Sequence, residues 1–218
     1  MSMTEKDALL ILSLLPGLGP VRIKQLLKHF GSAVEILQSD EKTLRQQPGI
    51  GKSIADAITH WSEHVNPQKE YELCRRHHVW LLDIHDPHYP QALRERRDAP
   101  LVLYGVGQRE VLSRLEDRGL AVVGSRAMTL YGERVTRQFT TSAVKSGWIV
   151  VSGLARGVDT LAHRSTLENA GVTVAVVGSG LLELYPPENR DLAREICQRG
   201  CIISEQPLTM KPDRRHFP

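Results

Sequence analysis

The sequence has 218 residues, enough for one medium-sized domain or for a small domain beside a medium one. Its hydrophobic content of 41% and charged content of 24% are typical of a globular protein and argue against a disordered chain. The formal net charge of +3 permits an anionic partner without requiring one. No apolar run approaches the roughly 20 residues of a membrane span, and the first residues lack the basic start of a secretory signal. We therefore expect a cytoplasmic location and no membrane partner.

Cysteine and histidine spacing gives no reason to expect a metal. The cysteines Cys74, Cys197 and Cys201 are odd in number and form no CxxC pair, so they predict neither a disulfide framework nor a zinc site. The histidines between residues 77 and 88 match no standard metal-binding spacing. We predict that no metal is bound.

A glycine-containing segment occurs twice near the N-terminus, at residues 15–20 and 47–52. Each copy follows a helical pattern, over residues 5–14 and 33–46, and each precedes apolar residues at the spacing of a helix core face. Helix, Pro-Gly-apolar-Gly, helix resembles the helix-hairpin-helix unit, which occurs as a tandem pair in many DNA-repair and recombination proteins. The candidate DNA contacts in these turns are Gly17, Gly19, Gly49, Gly51 and Lys52.

Two interpretations of these hairpins stay open. Backbone N–H groups at the start of the second helix of each hairpin can bind a phosphate oxygen without reading the base. Alternatively, the hairpins are tight turns that hold a small helical bundle together.

A domain boundary is predicted where the apolar period is lost, at residues 62–68, which also contain a proline. This divides the chain into a helical domain, 1–66, and a second domain, 67–218. In the second domain, short β-branched apolar segments alternate with helical patterns. Such alternation predicts an α/β fold, here a Rossmann-like, doubly wound parallel sheet buried on both faces. The predicted strands are 79–82, 101–105, 120–123, 148–151, 172–177 and 201–204, and the predicted helices are 130–146, 158–170 and 188–199.

Small-residue loops follow three of these strands, and in a parallel sheet they lie at the same edge. Glycines allow an anion to approach the backbone, and helix N-termini add partial positive charge. We therefore expect a phosphate-binding site in which Arg126 and Arg156 supply charge and Ser125 and Ser152 supply short donors. The loops are Gly124, Ser125 and Arg126; Ser152, Gly153, Leu154, Ala155, Arg156 and Gly157; and Gly178, Ser179 and Gly180.

Absent motifs narrow the chemistry further. No GxGxxG is followed by an acidic residue some 20 positions later, which predicts that no dinucleotide cofactor is bound. The sequence also lacks GxxxxGK[ST], so it does not resemble an ATPase.

A catalytic pair is conceivable on the helix after the second loop, where Asp159 and His163 share a face at i, i+4. They could act as a base and its orienting group near a nucleotide phosphate. We favour the structural alternative, in which Asp159 caps the helix or holds the loop and His163 packs against the sheet. Glu205 is a possible third member, or it binds an arginine or a base edge.

Aromatic side chains that could stack on bases are few, because aromatic content is only 5%. The candidates are Tyr131, Tyr185 and Phe217. Tyr131 also fits a buried helix ridge with Phe139 and Ala143.

The second domain resembles the DNA-processing A (DprA, or Smf) family over roughly residues 80–218. The resemblance rests on a combination of short motifs. They are Gly124-Ser125-Arg126 with Tyr131-Gly132, the run from Ser152 to Asp159 with Ala162-His163, Gly171 through Gly180 with Tyr185-Pro186, and Ile203-Ser204-Glu205. The preceding segment, Asp86-Pro87-His88-Tyr89-Pro90 with Leu93, Pro100 and Leu103-Tyr104-Gly105, fits the start of the same domain.

This resemblance implies a non-catalytic protein that binds incoming single-stranded DNA during natural transformation. It further implies that the protein protects the strand, loads the recombinase RecA onto it and forms a homodimer. By motif position, Arg126 and Arg156 would contact DNA. The pocket would be lined by Gly124, Ser125, Ser152 and Gly153.

Beyond Pro218 the family pattern continues into an arginine-rich loop and a further helix, so we expect this sequence to be a shortened form. The alternative function is a nucleotide-binding or nucleotide-hydrolysing Rossmann-like protein. The phosphoribohydrolases of that superfamily carry a PGGxGT-type loop that this sequence lacks.

Overall fold

The computed structural model describes residues 3–213, so the proposed stacking residue Phe217 lies outside the described part. The N-terminal region is helical. Its first helix begins with a capping box, in which the Thr4 side chain and the Asp7 backbone and carboxylate satisfy each other's hydrogen bonds. The helices of this region are α1 (Glu5–Leu14), α2 (Pro20–Phe30), α3 (Ala33–Gln38), α4 (Glu41–Arg45), α5 (Lys52–Thr59) and α6 (Trp61–His64).

The two repeated segments adopt matching backbone conformations. Gly17 and Gly49 have φ values of 76° and 77°, a region that favours glycine. Gly19 and Gly51 are the N-caps of α2 and α5 and are both extended. The Arg22 guanidinium donates to the Gly17 carbonyl oxygen at 3.0 Å and lies close to Gly49, so the two turns are neighbours.

The helix predicted over residues 33–46 is instead two helices. The Asp40 carboxylate accepts a hydrogen bond from the Thr43 N–H at 2.8 Å, which makes Asp40 the N-cap of α4. A residue in this role takes an extended conformation and therefore interrupts the helix.

After the helical region come a seventh helix and a sheet with interleaved helices. Short 3₁₀ turns cover Arg109–Arg114 and Pro187–Asn189. The elements are α7 (Pro67–Arg76), β1 (Trp80–Asp83), α8 (Gln91–Arg94), β2 (Val102–Gly107), α9 (Leu115–Arg118), β3 (Gly119–Ala121), α10 (Leu130–Lys145), β4 (Ile149–Ser152), α11 (Val158–Glu168), β5 (Thr173–Val177), α12 (Arg190–Arg199) and β6 (Cys201–Ser204).

Within residues 3–213 the strands form one sheet in the order β1-β2-β6-β5-β4-β3. Strands β3 to β6 are parallel, whereas β1 pairs with β2, and β2 with β6, in antiparallel fashion. The prediction of an α/β fold after a helical region is confirmed, and the predicted parallel sheet is mostly parallel. The antiparallel pair β1-β2 was not predicted, because a short apolar strand carries no signal of its direction.

The two faces of the parallel sheet have different surroundings. On one face, His163 of α11 contacts Thr173 of β5, and α10, α11 and α12 pack side by side. Strand register places Val151 and Val176 on the opposite face, where Val176 is 46% exposed. Full burial of both faces was expected, but within the described residues this second face stays partly open beyond the carboxyl ends of the strands.

Helix α10 buries a different face from the predicted ridge. Its buried residues are Thr136, Thr140 and Ala143, whereas Tyr131 is 75% and Phe139 is 69% exposed. The prediction that Tyr131 lies in a core ridge is therefore wrong. Small side chains at i, i+4 and i+7 let α10 lie close to α11, and this close packing sets the rotation of the helix.

Direct hydrogen bonds join the helical region to the sheet. Lys6 Nζ donates to the Leu81 carbonyl oxygen at 3.0 Å, and the Tyr71 hydroxyl of α7 donates to the Asp7 carboxylate at 2.8 Å. Buried apolar side chains of both regions form a continuous cluster. The division at residue 66 therefore remains a prediction about folding units.

Among the described helices, none is long and apolar enough to cross a membrane.

Candidate functional site

A cavity of about 550 Å³ opens at the carboxyl edge of the parallel strands. Its floor is the partly open sheet face, with Val151, Val176 and Ile203. The three expected loops contribute different numbers of residues to its lining. The cavity is lined by Gly124 and Arg126 of the first loop, by Ser152, Gly153 and Ala155 of the second, by Gly178 of the third, and by Asp159, Ser204 and Glu205.

The first and second loops are locked together at Gly157. This glycine has a φ of 76°, and a Cβ here would collide with the Ser125 carbonyl oxygen. The same oxygen accepts a hydrogen bond from the Val158 N–H at 3.1 Å. The start of α11 therefore binds the first loop, which places both loops at the cavity mouth.

The Asp159 side chain holds the second loop. Its Oδ2 accepts hydrogen bonds from the N–H groups of Gly153, at 3.1 Å, and Ala155, at 3.4 Å. A Cβ at Gly153 would press against this carboxylate, so the contact requires glycine. Asp159 is buried and its Oδ2 is engaged by the backbone of the second loop, in agreement with the structural alternative for this residue.

His163 lies on the other side of the sheet from the cavity floor. Its Nδ1 is 2.7 Å from the Thr173 hydroxyl, which itself donates to the Val150 carbonyl oxygen at 2.7 Å. Because Thr173 has a single proton to donate, we assign the imidazole proton to Nδ1. Burial lowers the pKa of His163 to about 4, so the ring is neutral near pH 7. Asp159 and His163 therefore form no acid–base pair.

The serine hydroxyls expected to donate to phosphate are engaged within the protein. Ser125 Oγ donates to the Ala127 carbonyl oxygen at 3.0 Å, and Ser152 Oγ donates to the Val122 carbonyl oxygen at 2.7 Å. A hydroxyl has one proton, so neither can also donate to a ligand without rearrangement. Their observed contribution is to shape the loops.

The third loop contributes less to the cavity than its sequence suggested. The Gly180 N–H donates to the Met210 carbonyl oxygen at 2.8 Å, and a Cβ there would collide with the Leu208 carbonyl. Ser179 is 1% exposed. The segment that follows β6 therefore covers this loop beyond Gly178. Leu154 of the second loop is also buried, in the core.

The two arginines expected to share one site are separated. Arg126 lines the cavity. Arg156 instead binds Glu188, with Nε and Oε1 2.5 Å apart, and donates to the Tyr185 hydroxyl at 3.2 Å. It lines a different concavity of about 400 Å³, together with Arg137 and Arg164. The two arginines therefore line different concavities, and contact of either one with DNA stays a prediction.

The charges around the cavity are nearly balanced. Arg96 and Asp98 also line it, and they form an ion pair at 3.0 Å. Sequence analysis missed this pair because it lies in a loop without a recognisable motif. Glu205 is exposed and makes no ion pair among the described residues. With Asp159 engaged by backbone N–H groups, Glu205 is the acid most available to a ligand.

The hairpin turns are distributed around this site rather than within it. The first turn borders a separate concavity of about 300 Å³ that Gly19, Pro100 and Glu205 all line. Gly49, Gly51 and Lys52 of the second turn are exposed and line neither this concavity nor the main cavity.

Within residues 3–213 no group of three or more His, Cys, Asp or Glu side chains is arranged to hold a metal ion. The fold and the cavity together define a Rossmann-like α/β protein with an open cavity at the carboxyl edge of its sheet and a tandem hairpin region. Residues 80–218 match the family model of DNA recombination-mediator protein A, and the chain belongs to this family. Residues 8–59 match a SAM-like helix-hairpin-helix tandem. The resemblance inferred from the sequence motifs is confirmed.

Named relatives extend this assignment. The chain is 37% identical over 221 residues to the protein Smf of Synechocystis, covering 100% of this chain and 55% of the relative. It is 34% identical over 144 residues to the DNA processing protein DprA of Bacillus subtilis, covering 66% of this chain and 48% of the relative. This chain thus spans about half the length of the curated relatives it matches.

Two solved structures are similar to this chain. The X-ray structure of DNA processing protein A from Streptococcus pneumoniae superposes with a TM-score of 0.78 at 28% identity, covering 100% of this chain and 73% of that one. The Helicobacter pylori DNA processing protein A, whose structure concerns its single-stranded DNA binding mode, gives a TM-score of 0.55 at 30% identity. That match covers 64% of this chain and 60% of the other.

Proposed function

We propose that this chain binds single-stranded DNA in the cavity at the carboxyl edge of the sheet. The observation that carries the proposal is the convergence of Arg126 with the glycine loops around one open cavity, in the segment that matches the family model. Arginine suits a phosphodiester because it is always charged and can bind two oxygens together. The single-stranded DNA binding named for the Helicobacter pylori relative supports the same ligand class.

The apolar floor favours a single strand over a duplex. Val151 and Val176 present aliphatic surface beside the loops that would hold phosphates. Bases of a single strand can leave the stack and cover such a surface, whereas duplex bases are already stacked and paired. Phosphate contacts would provide most of the affinity and make it fall with salt.

For the whole protein we propose a DNA-processing role in natural transformation. It would protect the incoming strand and load the recombinase RecA, as a cytoplasmic homodimer with the domain division at residue 66. The curated DNA-processing relatives and the recombination-mediator family support this role.

We further propose that the chain acts by binding and catalyses no reaction. Asp159 is engaged by the loop backbone and His163 lies on the opposite sheet face, which speaks against a phosphoribohydrolase-like activity. Incubation with nucleoside monophosphates should release no free base. Base release that Asp159→Asn abolishes would establish the enzyme instead.

The direct test is fluorescence anisotropy with a labelled oligo-dT at two salt concentrations and with duplex DNA as competitor. We expect salt-sensitive binding that the duplex displaces poorly, because phosphate contacts and unstacked bases both contribute. Equal competition by duplex would contradict the single-strand assignment, and absence of binding would contradict the cavity as a DNA site in this chain.

A further inference from the structure

Basic side chains from both regions of the chain meet beside the main cavity. Helix α2 contributes Lys24 and Lys28, one turn apart, and the loop after α8 contributes Arg96 and Arg97. A concavity of about 420 Å³ beside these residues is lined by Val21 of α2 and by Arg96, Arg97 and Asp98 of the loop. We call these four basic residues the junction surface.

Lys24 connects the two parts of the junction surface, helix α2 and the loop after α8, by hydrogen bonds. Lys24 Nζ donates to the Arg96 carbonyl oxygen at 2.6 Å and contacts the Arg94 carbonyl oxygen at 3.4 Å. The side chains of α2 therefore keep a constant position relative to the loop that carries Arg96 and Arg97.

This surface is continuous with the main cavity. Arg96 and Asp98 line both the cavity of about 550 Å³ and the concavity at the junction. A chain that leaves the cavity past Arg96 would therefore meet Arg97 and α2 next.

The charge of the junction surface is predominantly positive. Arg96 is neutralised by Asp98, at 3.0 Å. Lys28 and Arg97 are exposed, and among the described residues neither forms an ion pair. Two cations thus remain for an external anion, in addition to Lys24.

We propose that the junction surface binds the phosphate backbone of nucleotides that leave the cavity, so that one DNA strand contacts both regions of the chain. The inference rests on the proposed binding of a single strand in the cavity. Regularly spaced phosphates suit cations placed along a groove, and no base recognition is required. The contact uses the flank of α2 and does not depend on the hairpin turns, where Arg22 is engaged by Gly17.

The test compares two oligo-dT lengths, about 6 nucleotides to occupy the cavity and about 20 nucleotides to extend beyond it. The variant Lys28→Ala/Arg97→Ala removes the two unpaired cations. The control Lys42→Ala/Arg75→Ala removes the same charge from exposed residues that line neither the main cavity nor the concavity at the junction. Equal unfolding midpoints would show that both variants are folded.

We expect the junction variant to weaken binding of the long oligonucleotide about tenfold at low salt and to reduce the salt dependence of log Kd by about 1.4, the value for two phosphate contacts on a single strand. Binding of the short oligonucleotide should change less than about twofold, because it does not extend to the junction. Long-oligonucleotide binding equal to that of the control would overturn the junction surface, as would an equal loss for both lengths.

Failure of the cavity proposal would look different. If Arg126→Ala left short-oligonucleotide binding unchanged while the junction variant still weakened the long one, the cavity assignment alone would be wrong. If the unsubstituted chain bound neither length, both proposals would be overturned.

Discussion

The Asp159 carboxylate accepts a hydrogen bond from the Gly153 N–H across 3.1 Å, which ties the first turn of α11 to the loop that ends β4. The residue that resembles a catalytic acid therefore serves as a positioning group. Its helix, its loop and the cavity wall form one connected unit, because α11 also donates its Val158 N–H to Ser125.

Replacing Asp159 by Ala should lower the free energy of unfolding by about 1–3 kcal/mol, because two partly buried N–H groups would lose their acceptor. Urea unfolding of the variant measures the change. Asp191→Ala is the matched control, since Asp191 is exposed and, among the described residues, its ion pair is with Arg194 of its own helix. Equal unfolding free energies for the two variants would contradict the positioning role.

Arg126 and Arg156 should differ in their effect on DNA binding. We expect Arg126→Ala to weaken oligonucleotide binding at least about tenfold, because its side chain lines the cavity. Arg156→Ala removes an equal charge but one that Glu188 already neutralises, so a change below about twofold is expected. Anisotropy titrations of both variants at one salt concentration measure the difference. Equal losses of affinity would indicate that both arginines contact DNA.

Gly157→Ala should be more damaging than Gly147→Ala. Both glycines have a positive φ, 76° and 79°, and Gly157 also has a ψ of −125°, a conformation that is essentially confined to glycine. Only at Gly157 would the new methyl group collide with the Ser125 carbonyl, whereas nothing lies within 4 Å at Gly147. We expect Gly157→Ala to lose at least about 1 kcal/mol more stability in urea unfolding. Similar losses would mean that the two loops are not locked as described.

Glu205→Gln should raise the affinity for oligo-dT by about two- to fivefold, because an exposed carboxylate beside a phosphate site repels the ligand. The gain should shrink as salt is added. Glu116→Gln, an exposed residue outside the cavity lining, controls for the change in net charge. A loss of affinity would indicate instead that Glu205 accepts hydrogen bonds from a base.

His163 should make the protein less stable in mild acid. Its pKa is about 4 in the folded chain and about 6.5 when unfolded, so the unfolded state binds the proton more readily between these values. Stability is therefore retained above pH 6.5 and falls as the pH drops toward 4. Between pH 7 and pH 5 the loss from this residue is about 2 kcal/mol. In the variant His163→Gln, the free energy of unfolding measured in urea should depend less on pH. An unchanged pH dependence would mean that other groups cause the loss of stability in acid.

Local pattern alone was sufficient for the helical region, the alternation of strands and helices, and the family. The spacing of apolar residues predicted most elements within a few positions, because a helix and a strand bury side chains at different periods. The paired Pro-Gly-apolar-Gly segments predicted two turns of the same geometry, since both need a glycine at positive φ. The glycine loops were correctly predicted to follow the strands that line the cavity.

Tertiary structure decided which side chains of those loops face the cavity. Arg126 and Arg156 look equivalent in sequence, but Glu188, which lies 32 positions from Arg156, draws that arginine away. Ser152 looks like a phosphate donor, but the Val122 carbonyl oxygen, 30 positions away, accepts its proton. The hydrogen bond of Lys24 to the Arg96 carbonyl oxygen joins residues 72 positions apart in the chain. Sequence spacing reports the periodicity of a single element, whereas these choices depend on which groups the folded chain brings within hydrogen-bonding distance.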